Sequence, residues 1–285
     1  MKKKYIIAAA ICGFLSLGSV DAIHGFASPM ANYTGGYHQS VVRPNASVNW
    51  MSSVIEAEGE GVAPPNAISM AQARILARRA AVIDAYRQLA EYAQGVQIEA
   101  GTTTAMAMVV NDATNAQVRA LIRGASVTAE GFSADGSYHV RMELPLFGAS
   151  NSLASAVLPR HGSTESFPAP PIYAEATGTY TGLFVDCRGL GLNPAMSPVI
   201  RDEQGTPIYG YRNLDCDFVV REGMASYAYD IATTRRAGTN PLVIRAIALD
   251  QHNVNPVVSI KDASRILAEN RATHFLDRAA VVFLR

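Results

Sequence analysis

The chain has 285 residues, 49% of them hydrophobic and 17% charged, which suits one or two globular domains with a sizeable core and argues against global disorder. Its 24 basic and 24 acidic residues cancel, and beyond Lys2, Lys3 and Lys4 no basic block stands out. That balance lacks the electrostatic footprint of a nucleic-acid binder and the polybasic cluster that draws proteins to anionic membranes, so any membrane contact is expected to be peripheral at most.

In chain order, Lys2, Lys3 and Lys4 followed by the apolar run from Tyr5 to Leu17 read as a secretory signal, with cleavage expected between Ala22 and Ile23. Export to the periplasm or outer cell envelope follows from that reading. Residues 23–47, rich in Gly, Pro, Asn and Ser without a period, read as a flexible arm.

Residues 48–158 read as one α+β domain. VNWMSSVIEAEGEG is an expected first strand, and the helix that follows runs from an N-cap at Ser69 to a stop at Gly95. At 100° per residue, Ala73, Ile75, Leu76, Ala80, Val82, Ile83, Tyr86, Leu89, Ala90 and Ala93 share an apolar face, whose small members suit close packing on a sheet. Arg79 falls in the middle of that face. A buried guanidinium needs a partner, so Arg79 is expected to pair with Glu56 or Glu58 on the strand. VQIEAG is a short strand, DATNAQVRALIRG a second helix, and SVTAEGFSADGSYHVRMELPLFG a hairpin turning at Asp135-Gly136. The AMAMVV run at 105–110 reads first as a buried strand, with an exposed interaction surface as its alternative.

The polar, proline-rich residues 159–171 read as a linker. Residues 172–285 form a second expected α+β domain, with strands at TGLFVDC, PLVIRAIAL and AAVVFL, a hairpin at SPVIRDEQGTPIYG and a helix at KDASRILAENRATHFL. The fold class is therefore α+β: two small domains, each an antiparallel or mixed sheet with one or two packed helices.

No constellation of reactive residues emerges. GLGLNP at 189–194 begins like a dinucleotide fingerprint, but Asn193-Pro194 and Ser197-Pro198 forbid the helix start that must meet the pyrophosphate, so it reads as a turn at a sheet corner. Cys187 and Cys216, the cysteines left after export, read as a disulfide in an oxidising compartment. The histidines are isolated and no metal-ligand spacing occurs, so neither a metal nor a cofactor is expected. Glu56, Glu58 and Glu60 alternate and line one strand face, which is the feature a hydrolase reading would use.

The run ARRAAVIDAYRQLAEYAQGVQI, with AEGEG before it and IRGASV after it, resembles the Lpp-twenty family of bacterial surface lipoproteins and, more distantly, the amino-terminal domain of flagellar assembly protein T, over about residues 54–148. The second half looks like a segment that accompanies this domain in exported bacterial proteins. The resemblance implies a helix packed on an antiparallel sheet, an envelope location and a non-enzymatic part that assembles or adheres. It departs from the lipoprotein pattern, because Cys12 lies inside the apolar leader and not at the first mature position. The function expected is a non-catalytic structural or protein-interaction module whose partners are other envelope proteins or further copies of itself. A small-ligand binder and, behind it, a hydrolase using acidic residues are the alternatives.

Overall fold

A computed structural model describes residues 46–285. The expected leader, its cleavage point at Ala22 and Ile23, and residues 23–45 of the expected arm lie outside the described residues. The fold is α+β, with antiparallel, mixed and parallel sheets.

The first part opens with β1 (Ala46–Asn49) and β2 (Val54–Gly61), an antiparallel hairpin where the sequence suggested one strand. The chain reverses because Asn49 Oδ1 accepts hydrogen bonds from the backbone N–H groups of Met51 and Ser52, both at 3.1 Å, and Ser53 takes a left-handed φ of 58°. Next come α1 (Met70–Gly95), β3 (Gln97–Glu99), β4 (Thr102–Thr103), α2 (Thr104–Val110), α3 (Asp112–Arg123), β5 (Ser126–Phe132), β6 (Tyr138–Pro145) and the short α4 (Leu153–Val157). Strands β1-β2-β6-β5 form an antiparallel sheet with α1 across one face, while β3 and β4 pair separately.

Helix α1 starts where expected, with Ser69 Oγ accepting from the Gln72 N–H at 3.1 Å. The face it buries is only partly the expected one, sharing Leu89 and Ala93 with it. Ala77, Ala81, Ala85, Leu89 and Ala93 meet the sheet, an i, i+4 stripe that brings the two backbones together. Beneath it, a Cβ placed on Gly59 would stand 2.2 Å from the Ala81 carbonyl oxygen, and one on Gly61 would stand 2.1 Å from that of Ala77. The two glycines select the alanine stripe, since larger side chains would hold the helix off. Ile75, Ile83 and Arg79 consequently face solvent.

After an extended stretch, the second part contains β7 (Gly182–Asp186), β8 (Ile200–Asp202), β9 (Pro207–Tyr209), α5 (Cys216–Glu222), β10 (Ser226–Ala228), β11 (Pro241–Arg245), β12 (Ala248–Leu249), β13 (Pro256–Val258), α6 (Ile260–Thr273) and β14 (Val281–Leu284). Strands β10-β14-β7-β11 form a wholly parallel sheet, and β12-β13-β8-β9 a mixed one. The GLGLNP stretch leaves the end of β7, with Gly189 and Gly191 at φ values of 82° and 77°, a turn shape that glycine adopts without steric cost.

Residues 159–171 have no regular structure but are tied down: Glu165 N–H donates to the Arg212 carbonyl at 2.8 Å, and the Tyr211 hydroxyl donates to that of Pro159 at 2.7 Å. Beyond them, the buried Glu269 carboxylate of α6 accepts from the Thr177 N–H at 2.8 Å, the Thr177 hydroxyl at 2.9 Å and the Gly178 N–H at 3.0 Å. One hydrophobic cluster contains Ile55, Leu89 and Met142 together with Leu183, Tyr209 and Phe283. Trp50 stands edge-on to Tyr227 at 5.4 Å, and the Met196 and Ser197 N–H groups donate to the Gln97 and Ile98 carbonyls at 3.0 and 2.7 Å.

Candidate interaction surface

The expected ion pair between Arg79 and Glu56 or Glu58 is absent. Ile55, Ala57 and Gly59 of β2 point at α1, so with a period of two the glutamates between them point away from it, to the far face of the sheet. There Glu58 lies 3.8 Å from both His139 Nδ1 and Arg141 Nη2, and Glu56 Oε1 accepts from Asn49 Nδ2 at 3.4 Å. Arg79 is exposed, with no ion pair among the described residues.

The expected disulfide is absent as well: Cys187 and Cys216 are both buried free thiols. Each serves its own element. Cys187, just past β7, lies 3.7 Å from the Val185 carbonyl, and burial with Asp186 alongside pushes its thiol up to about 12. Cys216 opens α5 and accepts from the His161 N–H at 3.3 Å. Both nitrogens of the His161 ring face backbone carbonyls, that of Ser163 at 3.0 Å and that of Tyr211 at 3.3 Å. Nothing in that geometry lets the imidazole take the thiol proton.

The acidic strand face does acquire one arrangement that the sequence did not suggest. Ser137 Oγ lies 2.9 Å from His139 Nε2, whose Nδ1 faces Glu58. The order of groups is that of a hydrolytic triad, but the Ser137 hydroxyl donates to Asp135 Oδ1 at 2.7 Å. The imidazole is therefore left to donate to the serine oxygen and not to withdraw its proton. That bond, with a second from the Ser137 N–H, holds the Asp135 carboxyl below the usual carboxylate range. Ser137 itself is buried in a tight hairpin turn.

The best-formed surface for a partner lies at α2. The helix starts because Thr103 Oγ1 accepts from the Met106 N–H at 3.4 Å, and buried Thr104 anchors to the Val96 carbonyl through its N–H at 2.9 Å and its hydroxyl at 3.3 Å. It ends after two turns at Asn111, whose Oδ1 caps α3 by accepting from Ala113 and Thr114 N–H at 2.9 and 3.2 Å. Only Thr104 and Met108 are buried, so Met106, Val109 and Val110 stand out from the surface, the last two 85% and 88% exposed. AMAMVV is thus an exposed helix and not a strand.

This apolar ridge separates two cavities. One, of about 580 Å³, has Met108, Val109 and Ile122 on its apolar side and Arg119 and Arg123 on its polar side. The other, of about 1090 Å³, has a floor of Ile98, Val157, Leu158 and Val199 and is bordered by Val110 of the ridge, by Tyr211 and by Arg201 and Arg212. Both border arginines are already engaged: Arg201 pairs with Asp250 at 3.5 Å and donates to the Gly205 carbonyl at 2.9 Å, and Arg212 pairs with Glu165 at 3.2 Å. An apolar floor with a neutralised polar rim suits apolar side chains of a partner or a ligand of mixed character.

Only AMAMVV of this surface was visible in the sequence. The larger cavity joins residues from α2, from the expected linker and from β9 and the turn after it, which no local spacing connects. The one available signal was the proline-rich stretch itself, since Pro159 and Pro168 line the cavity wall.

Residues 182–285, from the start of β7 to Arg285, match the family model described as Treponema pallidum Tp0624, second domain. No curated protein matches the chain. No helix among the described residues is long and apolar enough to cross a membrane.

Proposed function

We propose that this chain is an exported, non-catalytic structural or protein-interaction module of a bacterial envelope, whose partners are other envelope proteins or further copies of itself. The observation that carries the reading is the α2 ridge, where Val109 and Val110 project into solvent between two cavities. Burying such aliphatic side chains releases about 1.5–3 kcal/mol each, so a helix that exposes them is complementary to an apolar partner. The resemblance of residues 54–148 to surface proteins that assemble or adhere supports the same reading.

The test is site-specific photo-crosslinking in intact cells. A photoreactive residue at Val110 is expected to yield one adduct of defined mass, while the same residue at exposed Glu91, on α1, yields none. Val109→Asp is expected to reduce the Val110 adduct at least about tenfold with the melting temperature unchanged, because the position is solvated in the free chain. An adduct indifferent to Val109→Asp, or equal at Glu91, would remove the basis of the reading.

The cavity of about 1090 Å³, with polar and aliphatic walls, favours a small-ligand binder as the second reading. Native mass spectrometry of protein taken directly from cells separates the two. A co-purifying small molecule that is lost on filling the cavity with Val110→Trp supports the ligand reading.

A further inference from the structure

We propose that the outer face of α1, with the loop that leads into it, docks on an anionic lipid surface. Because the alanine stripe is committed to Gly59 and Gly61, Ile75 and Ile83 are displaced to solvent, 55% and 69% exposed, and Ile68 and Met70 at the helix start are 90% and 74% exposed. They share this surface with cations and no anion of their own segment. From Gly61 through Ile83 there is no carboxylate, whereas Arg74, Arg78 and Arg79 are all present.

These cations differ in what they already do. Arg78 is paired with Glu130 of β5 at 2.9 Å, and the Arg74 guanidinium lies 5.9 Å from the ring centre of half-exposed Phe132. Arg79 lies one turn from Ile75 on one side and from Ile83 on the other, and has no hydrogen bond or ion pair among the described residues. An exposed aliphatic–arginine–aliphatic row is complementary to a surface that offers an apolar layer beneath negative charge.

Two other occupants fit less well. A second copy packed antiparallel on this row and centred on it would bring the two Arg79 guanidinium groups together, a like-charge contact with nothing to offset it. A different folded protein would have to mould itself to a convex helix face, since no residue of 61–83 lines either cavity beside α2. A fluid lipid interface requires no hollow: aliphatic tips enter the headgroup boundary by about 5–10 Å, while the arginine stem lies along it with its head at the phosphates.

The experiment is co-sedimentation of the purified protein with vesicles of phosphatidylglycerol and phosphatidylcholine in equal parts, beside vesicles of phosphatidylcholine alone. Binding at least about tenfold tighter to the anionic vesicles is expected, weakening as salt screens the cations. Ile75→Asp with Ile83→Asp is expected to lower it about tenfold or more, and Arg79→Glu several-fold, with far-UV circular dichroism unchanged because all three positions are solvated. Val109→Asp is expected to leave it unchanged, which keeps this proposal separate from the α2 reading. Equal binding to both vesicle types, or full binding by the folded Ile75→Asp/Ile83→Asp variant, would overturn it. So would a folded protein that binds no vesicles and is crosslinked through Ile75 or Ile83 to another protein.

Discussion

Cys187 shows how a single buried atom couples the fold to pH. Its thiol is pushed up to about 12 by burial, from an ordinary value of 9.0, so the folded chain keeps a proton that the unfolded chain loses first. The associated stability is fully present below about pH 9 and is lost as pH rises from there towards 12. Buried Tyr209 and Tyr227 are raised by the same desolvation and add to the alkaline loss. Denaturant midpoints are accordingly expected to fall above pH 9, with a shallower fall in Cys187→Ala, and iodoacetamide at pH 8 is expected to label Cys187 only on unfolding. The residue pattern alone suggested a disulfide because it records how many cysteines there are and not what surrounds each of them. Glu269 carries the same lesson with the opposite chemistry. Nothing around it in the sequence announces that its carboxylate will collect hydrogen bonds from Thr177 and Gly178, about ninety positions away.

At the scale of elements, the contact between α1 and β2 decides which surfaces the first part presents. Sequence periodicity placed α1 from Ser69 to Gly95 and put Leu89 and Ala93 on the buried face, but it took Ile75 and Ile83 in place of Ala77, Ala81 and Ala85, because a hydrophobic sum favours isoleucine over alanine. The sheet below reverses that preference by offering glycine at positions 59 and 61, where only backbone can approach backbone. Gly59→Ala is expected to destabilise by about 3 kcal/mol or more, since the new methyl meets the Ala81 carbonyl and the helix must lift. Gly131→Ala on β5, where a Cβ has open space, is expected to stay within about 0.5 kcal/mol. Urea titration of the two variants measures the contrast. Had both glycines been weighed against the alanines at 77, 81 and 85, the register of this contact would have been legible in the sequence. The α2 ridge would not, because a seven-residue helix gives too short a window for its period to be told from a strand's.

For the whole molecule, the shared hydrophobic cluster predicts that the described residues unfold as one cooperative body. Trp50 is the only tryptophan in the chain, and it packs on Tyr227 of the second part. Its fluorescence therefore reports on the contact between the parts. Unfolding followed by Trp50 fluorescence and by far-UV circular dichroism is expected to give coincident transitions, with calorimetric and van't Hoff enthalpies equal. A separate earlier step in fluorescence would mean that the two parts melt independently.

Read alone, the sequence determined the α+β class, the helices α1, α3 and α6 and the hairpins β5-β6 and β8-β9, because caps, turn residues and periodicity act over a few neighbouring residues. It left the AMAMVV run undecided between a buried strand and an exposed surface, and the run is an exposed helix. Only the tertiary structure decided which face α1 buries, that the two cysteines stay apart, that the second part contains a parallel sheet, and that the expected linker walls a cavity. Those outcomes depend on close approach between segments far apart in the chain. A strand's glycine is informative only once it is known which helix lies above it.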